Sequence, residues 1–243
     1  MDRRIYEYWK RMPDEHKNND LDFLNWFDIH ENQKKSFASG YVDLCFRIID
    51  KDILKIIQNP ADKKCLEIGF GAGRILNAAT DIFEYAYGVD IHNSFEKTKM
   101  FLKNENYKLL KPEEMNEEIE DASLDFVYSF IVFQHFHSIK TFTFYIEEIS
   151  RILKPGSPFV IYYGENRFNN DDFALVDYDR MSPRSSTLFI NPDFVQKSFQ
   201  DLGFKVMKHA AAAKKPWVSA ESCPSNCQRV ITGVKQETER WSF

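Results

Sequence analysis

Three glycines within one short segment, Cys65-Leu-Glu-Ile-Gly69-Phe-Gly71-Ala-Gly73-Arg74, stand where a buried apolar run gives way to a helical pattern. Glycine adopts positive φ without a Cβ clash and lets backbone approach a ligand closely. The helix behind such a turn presents unpaired N–H groups to an anion. A small charged ligand is therefore expected at this strand-to-helix junction.

The chain around it repeats the same alternation. Cys65–Gly69, Tyr87–Asp90, Leu124–Phe130 and Pro158–Gly164 are apolar runs rich in β-branched and aromatic residues, and helical patterns over about 73–82, 94–104 and 141–153 lie between them. That is the βαβ signature of a doubly wound α/β sheet covered on both faces. A helix over Asp193–Leu202, stopped by Gly203, precedes strands near Phe204–Lys208 and Arg229–Lys235. Residues 1–60 read as helices, including one stretch from about Gln33 to Ile57 that Asn59-Pro60 ends. The domain division is then 1–60 and 61–243.

Composition excludes several partners. With 243 residues, 43% of them hydrophobic, and 22 phenylalanines, there is ample material for one large core. A net charge of −5 offers no pull toward a phosphate backbone, so nucleic acid is not expected. No apolar run approaches a membrane span and Met1-Asp-Arg-Arg lacks a signal core, so the expected location is the cytoplasm. Cys223-Pro-Ser-Asn-Cys227 lacks the second ligand pair that structural zinc requires, and no metal is expected.

Asp90 ends the second strand in Tyr87-Gly-Val-Asp90-Ile91, at the separation where a carboxylate grips ribose hydroxyls. A dinucleotide fingerprint would place its third glycine where Arg74 stands, which weighs against NAD. With Gln134-His135 after the fourth strand and Glu148-Ile-Ser-Arg-Ile-Leu-Lys-Pro-Gly156 further on, the segment over about 64–164 resembles class I S-adenosylmethionine-dependent methyltransferases.

That resemblance implies a seven-stranded, mostly parallel sheet with an antiparallel last strand, and an N-terminal helical cap over residues 1–60. It makes Glu67 and the backbone of Gly69, Gly71 and Gly73 the cradle of the cofactor's methionine portion. Asp90 would hold the ribose, Ile91 would line the adenine, and Arg74 and Phe130 would complete the cofactor site. Tyr6, Trp9, Trp26, Phe27, Phe37 and Tyr41 are the aromatic residues available for a lid or for ordinary packing. One departure is Lys111-Pro-Glu-Glu-Met after Tyr107–Leu110, where the family often shows Gly-Asp.

Methyl transfer to oxygen or nitrogen is an in-line displacement that gains from positioning and water exclusion. A hydroxyl acceptor also needs a base, and His135, at the carboxyl edge of the sheet, is the expected one; backbone bonding is its other reading, and His137 is an alternative. Glu165, Asn166 and, in the long connection 168–191, Arg184 are expected to contact the acceptor. Asp125 starts its strand and so lies away from the ligand edge. The reading is methyl transfer to a hydroxyl or amine of a small molecule, with sugars and glycosylated metabolites among the acceptors. The alternatives are an inactive cofactor-binding scaffold and an NAD-dependent reductase.

Overall fold

The strands of the sheet carry their side chains alternately to two cores. The structure, a computed structural model, describes residues 3–15, 23, 27, 33–180, 186–212 and 228–237. Helix α1 (Arg3–Glu15), α2 (Gln33–Asp43) and α3 (Lys51–Ile57) precede β1 (Lys64–Ile68), α4 (Arg74–Ile82), β2 (Tyr85–Val89), α5 (Phe95–Phe101), β3 (Tyr107–Leu110) and β4 (Phe126–Ser129). Helix α6 (Ile139–Ile152), β5 (Pro158–Gly164), β6 (Phe173–Leu175), β7 (Leu188–Ile190), α7 (Pro192–Asp201), β8 (Phe204–Ala211) and β9 (Gln228–Lys235) follow.

The main sheet has seven strands in the order β3-β2-β1-β4-β5-β9-β8. Its five chain-leading strands are parallel, and β9 runs antiparallel to both β5 and β8. Leu66, Val127, Phe159 and Ile161 enter one core with Ile146 and Ile149 of α6 and Phe199 of α7. Cys65, Phe126, Val160 and Tyr162 enter the other with Ile53, Ile75 and Leu76. Burial on both faces is what continuous apolar strands require. Helix α6 starts where the Ser138 hydroxyl accepts from Thr141 N (3.1 Å) and buries Phe142, Tyr145, Ile146, Ile149 and Ile152, a helical stripe.

Three details depart from the sequence-based expectation. The stretch from 33 to 57 is not continuous: a π-turn at Leu44–Ile48 interrupts it, and Asp50 caps a fresh helix by accepting from Asp52 N and Ile53 N. The connection 168–191 contains a β6–β7 hairpin. Strand β4 is shorter than the apolar run, because Asp125 is turned to other work, accepting from Lys64 N (3.0 Å) and Lys154 Nζ (2.8 Å). Among the described residues, no helix is long and apolar enough to cross a membrane.

The strand order reverses at β1, with β2 on one side and β4 on the other. A crevice opens beyond the carboxyl ends of such strands. The Gly69–Gly73 turn, Asp90 and the segment 130–137 all lie there.

Candidate active site

A cavity of about 430 Å³ occupies this crevice, within the range of small-molecule sites. Glu67, Gly69, Gly71, Arg74, Asp90, Ile91, Phe130 and His135 line it. Gly73 does not line the cavity but begins α4 at φ +84, a left-handed start that only glycine takes cheaply.

The glycine turn is held together from within. Gly69 N donates to Val89 O (2.7 Å), Gly73 N to Phe70 O (2.8 Å) and Gly71 N to Asp90 Oδ2 (2.8 Å). The three glycine N–H groups are thus engaged within the protein, while Gly69 and Gly71 still line the cavity. A Cβ on Gly69 would lie 2.2 Å from the Val132 side chain and one on Gly71 2.7 Å from Phe27, so both positions need glycine for packing as well as for φ. Asp90 Oδ1 also accepts from Ile91 N (2.7 Å) and His92 N (3.2 Å). A carboxylate offers about four acceptor sites, so Asp90 can order the loop and still meet a hydroxyl.

Sequence reasoning missed His92, which latches this turn. Ser94 N donates to His92 Nδ1 (3.1 Å), so the proton sits on Nε2, which donates to Gly71 O (3.0 Å). The Thr98 hydroxyl donates to the same carbonyl (3.0 Å). Lys111, the departure noted above, donates to Ile91 O (3.0 Å), while Pro112 and Glu113 line the cavity.

Glu67 is 2% exposed and accepts one hydrogen bond, from the Tyr128 hydroxyl to Oε2 (3.2 Å). Burial raises its carboxyl to about 8, against the opposing pull of the Arg74 charge and the Tyr128 hydrogen bond. Arg74 donates to Asp43 Oδ2 (2.6 Å) and Ser39 Oγ (3.4 Å) from α2, and Arg47 pairs with Asp43 Oδ1 (3.1 Å). Both guanidiniums lie over the Phe130 ring, at 5.9 and 5.8 Å. Two cations thus face one buried carboxylate, Asp43, while Glu67 is neutral below about pH 8.

At the far wall, His135 ends a 3₁₀ turn, Phe133–His135. Its Nε2 lies 3.2 Å from Gln134 Nε2, and its ring packs on Trp9 at 4.4 Å. The preceding Ile131 lines the cavity at φ +62, a strained conformation for a β-branched residue. Tyr6, Trp9 and Phe27 line the cavity, whereas Phe37 packs in a separate cluster with Phe23 and Phe101, and Tyr41 hydrogen-bonds Asp81. Trp26 lies outside the described residues.

Neither Glu165 nor Asn166 lines the cavity. Glu165 is drawn to Arg229 (3.1 Å) on the neighbouring β9 and to Arg167 (2.6 Å). Asn166 closes a local turn by accepting from Phe168 N and donating to Asp171 O. Arg184, Cys223 and Cys227 lie outside the described residues.

Residues 66–161 match the family model described as a methyltransferase domain. Over these residues the chain is similar to a methyltransferase domain. The matched segment of this domain runs from β1 into β5 and so contains the glycine turn, Asp90 and His135. Comparison with curated protein sequences gives no match. Among solved structures, the domain's fold is similar to that of the 1,6-didemethyltoxoflavin-N1-methyltransferase of Burkholderia thailandensis, at 13% identity and TM-score 0.59 over 96% of this chain and 90% of that one. An S-adenosylmethionine dependent methyltransferase from Mesorhizobium loti gives 12% identity and TM-score 0.57 over 75% and 95%. The Haloferax volcanii protein solved in complex with the Trm112 methyltransferase activator gives 16% and 0.58 over 98% and 99%.

Proposed function

We propose that this domain methylates a hydroxyl or amine of a small-molecule acceptor, with Glu67, Arg74, Asp90, Ile91 and Phe130 holding the cofactor and His135 serving the acceptor. The observation that carries the reading is the meeting, in one cavity, of a buried acid (Glu67), an arginine (Arg74) and a strand-end carboxylate (Asp90). Those groups suit an ammonium, a carboxylate and a ribose respectively.

When bound, S-adenosylmethionine supplies a methyl group on a positively charged sulfur. Asp43 aims Arg74 along the glycine turn, and Asp90 presents its remaining acceptor sites while holding the loop. Apolar Phe130, Val132 and Phe136 exclude water from the reacting end, which strengthens positioning. His135 would accept the proton of a hydroxyl acceptor; an amine acceptor that arrives neutral needs no such step.

Calorimetric titration with S-adenosylhomocysteine and with NADH tests the cofactor assignment. Binding of the thioether with none of NADH is expected; the reverse would overturn it. For the acceptor atom, His135→Ala is expected to lower kcat about 10²-fold with a hydroxyl substrate, and near-normal turnover would remove the base role.

A further inference from the structure

The cavity has two chemically different ends. Among its described lining residues, the charged ones are Glu67 of β1, Arg74 of α4, Asp90 after β2 and Glu113 after β3. The lining also includes the rings of Tyr6, Trp9, His135, His137, Phe144 and Tyr145, which form its aromatic end. We propose that this end receives a flat, uncharged aromatic or heteroaromatic acceptor, whose hydroxyl or ring nitrogen is the group methylated; the proposal rests on the methyltransferase reading above.

The rings are placed in register rather than scattered. Tyr6 and Trp9 are three apart on α1 and so share a face. They meet the turn at His137 (ring centroids 5.4 Å) and His135 (4.4 Å), two residues apart. Tyr145 of α6 continues the wall, stacked on Phe136 at 5.1 Å and 13° and edge-on to Phe144 at 5.2 Å. Such walls favour planar guests through offset-stacked and edge-to-face contacts. Helix α1 is held over the turn by Arg4, which pairs with Asp179 and lies over the Tyr178 ring.

Part of the polar capacity at this end is already used within the protein. Gln134 accepts from Gln228 Nε2 (2.7 Å) and its own Nε2 faces His135, while Thr141 Oγ1 is shared with Ser138 and His137. A sugar brings several hydroxyls that each need a partner when desolvated. Burial lowers His137 below the usual imidazole range, so the wall is not positively charged there at neutral pH.

The test uses the full chain saturated with S-adenosylhomocysteine, titrated calorimetrically with 2-naphthol, methyl α-D-glucopyranoside and choline. Failure of S-adenosylhomocysteine itself to bind would strike the methyltransferase reading, whereas the acceptor proposal is decided by the three probes. Binding of 2-naphthol alone is expected, weakened about tenfold by Trp9→Leu and by Tyr6→Leu, with S-adenosylhomocysteine affinity retained. Should Trp9→Leu lose the thioether as well, Tyr6→Leu decides. The proposal is overturned if the glucoside or choline binds in place of 2-naphthol, if no probe binds at about 1 mM, or if neither variant changes 2-naphthol affinity.

Discussion

Glu67 is a buried acid, and its protonation links the cavity to stability. Its carboxyl titrates near 8 when folded and near 4.5 as a free group, so between those values the folded state binds the extra proton. Its stabilising contribution is therefore complete below about pH 4.5 and is lost as pH rises toward 8, at up to ~1.4 kcal/mol per pH unit. Urea denaturation from pH 5 to 8.5 should show that slope in the wild type, and Glu67→Gln should flatten it; equal slopes would show that Glu67 is not the linked group. Arg74 makes a separate prediction. Arg74→Met should weaken S-adenosylhomocysteine about tenfold or more, a cost of ~1.4 kcal/mol, and leave 5′-methylthioadenosine, which lacks the amino-acid portion, nearly unchanged. Equal losses for both ligands would mean that Arg74 acts on the fold and not on the carboxylate. The placement of Glu67, Arg74 and Asp90 in one cavity was legible because it follows from a strand end and a glycine turn a few residues long. Asp43 was not, since the Arg74 that it orients lies 31 residues away in sequence, and His92 carried no signal until its ring was seen on Gly71. Glu165 lies outside the cavity lining for a related reason. The end of β5 does point toward the ligand edge, but an arginine on the adjoining β9 takes its carboxylate.

Local pattern was enough for β1 to β5 and for the helices between them, because strands buried on both faces read as unbroken apolar runs and helices as stripes. It was insufficient where tertiary contact decides. The 33–57 stretch keeps helical spacing throughout, yet the π-turn and the Asp50 cap redirect the chain so that α2 crosses the start of α4. Gly40 makes that crossing possible: a Cβ there would lie 2.1 Å from the Arg74 carbonyl oxygen, which is backbone and cannot step aside. Gly40→Val should accordingly destabilise by at least ~1–3 kcal/mol in urea titration, the usual cost of overpacking. It should also weaken S-adenosylhomocysteine binding, because the displaced residue is the first of α4 and carries the guanidinium paired with Asp43. A variant with wild-type stability would show that α2 can dock further out. The β6–β7 hairpin escaped notice because its strands are three residues each, β6 mostly exposed and β7 mostly buried, too short for alternation to register.

At the scale of the molecule, the cavity is lined from β1, β2, the segment after β4, α6 and α1, so a ligand in it touches elements of both cores at once. Binding should therefore raise the unfolding midpoint of the whole domain. With S-adenosylhomocysteine at about 100 times its Kd the stabilisation is ~2.7 kcal/mol, which for a chain of this size corresponds to a midpoint shift of about 5–10 °C. NADH at the same concentration should give none. The shift should also depend on pH with a definite sign. An ammonium seated beside Glu67 requires the carboxylate, and below about pH 8 that carboxylate must be made by releasing a proton. Affinity should thus climb as pH rises from 6 toward 8, by at most tenfold per unit, and level off above it. Unfolding scans at fixed ligand concentration should show a larger ligand-induced shift at pH 8 than at pH 6 in the wild type. Glu67→Gln should show a small shift that is level across the range. A wild-type shift that shrank with rising pH would place the ammonium away from Glu67, and the charge pairing inferred for this corner would then be wrong even if the cofactor binds.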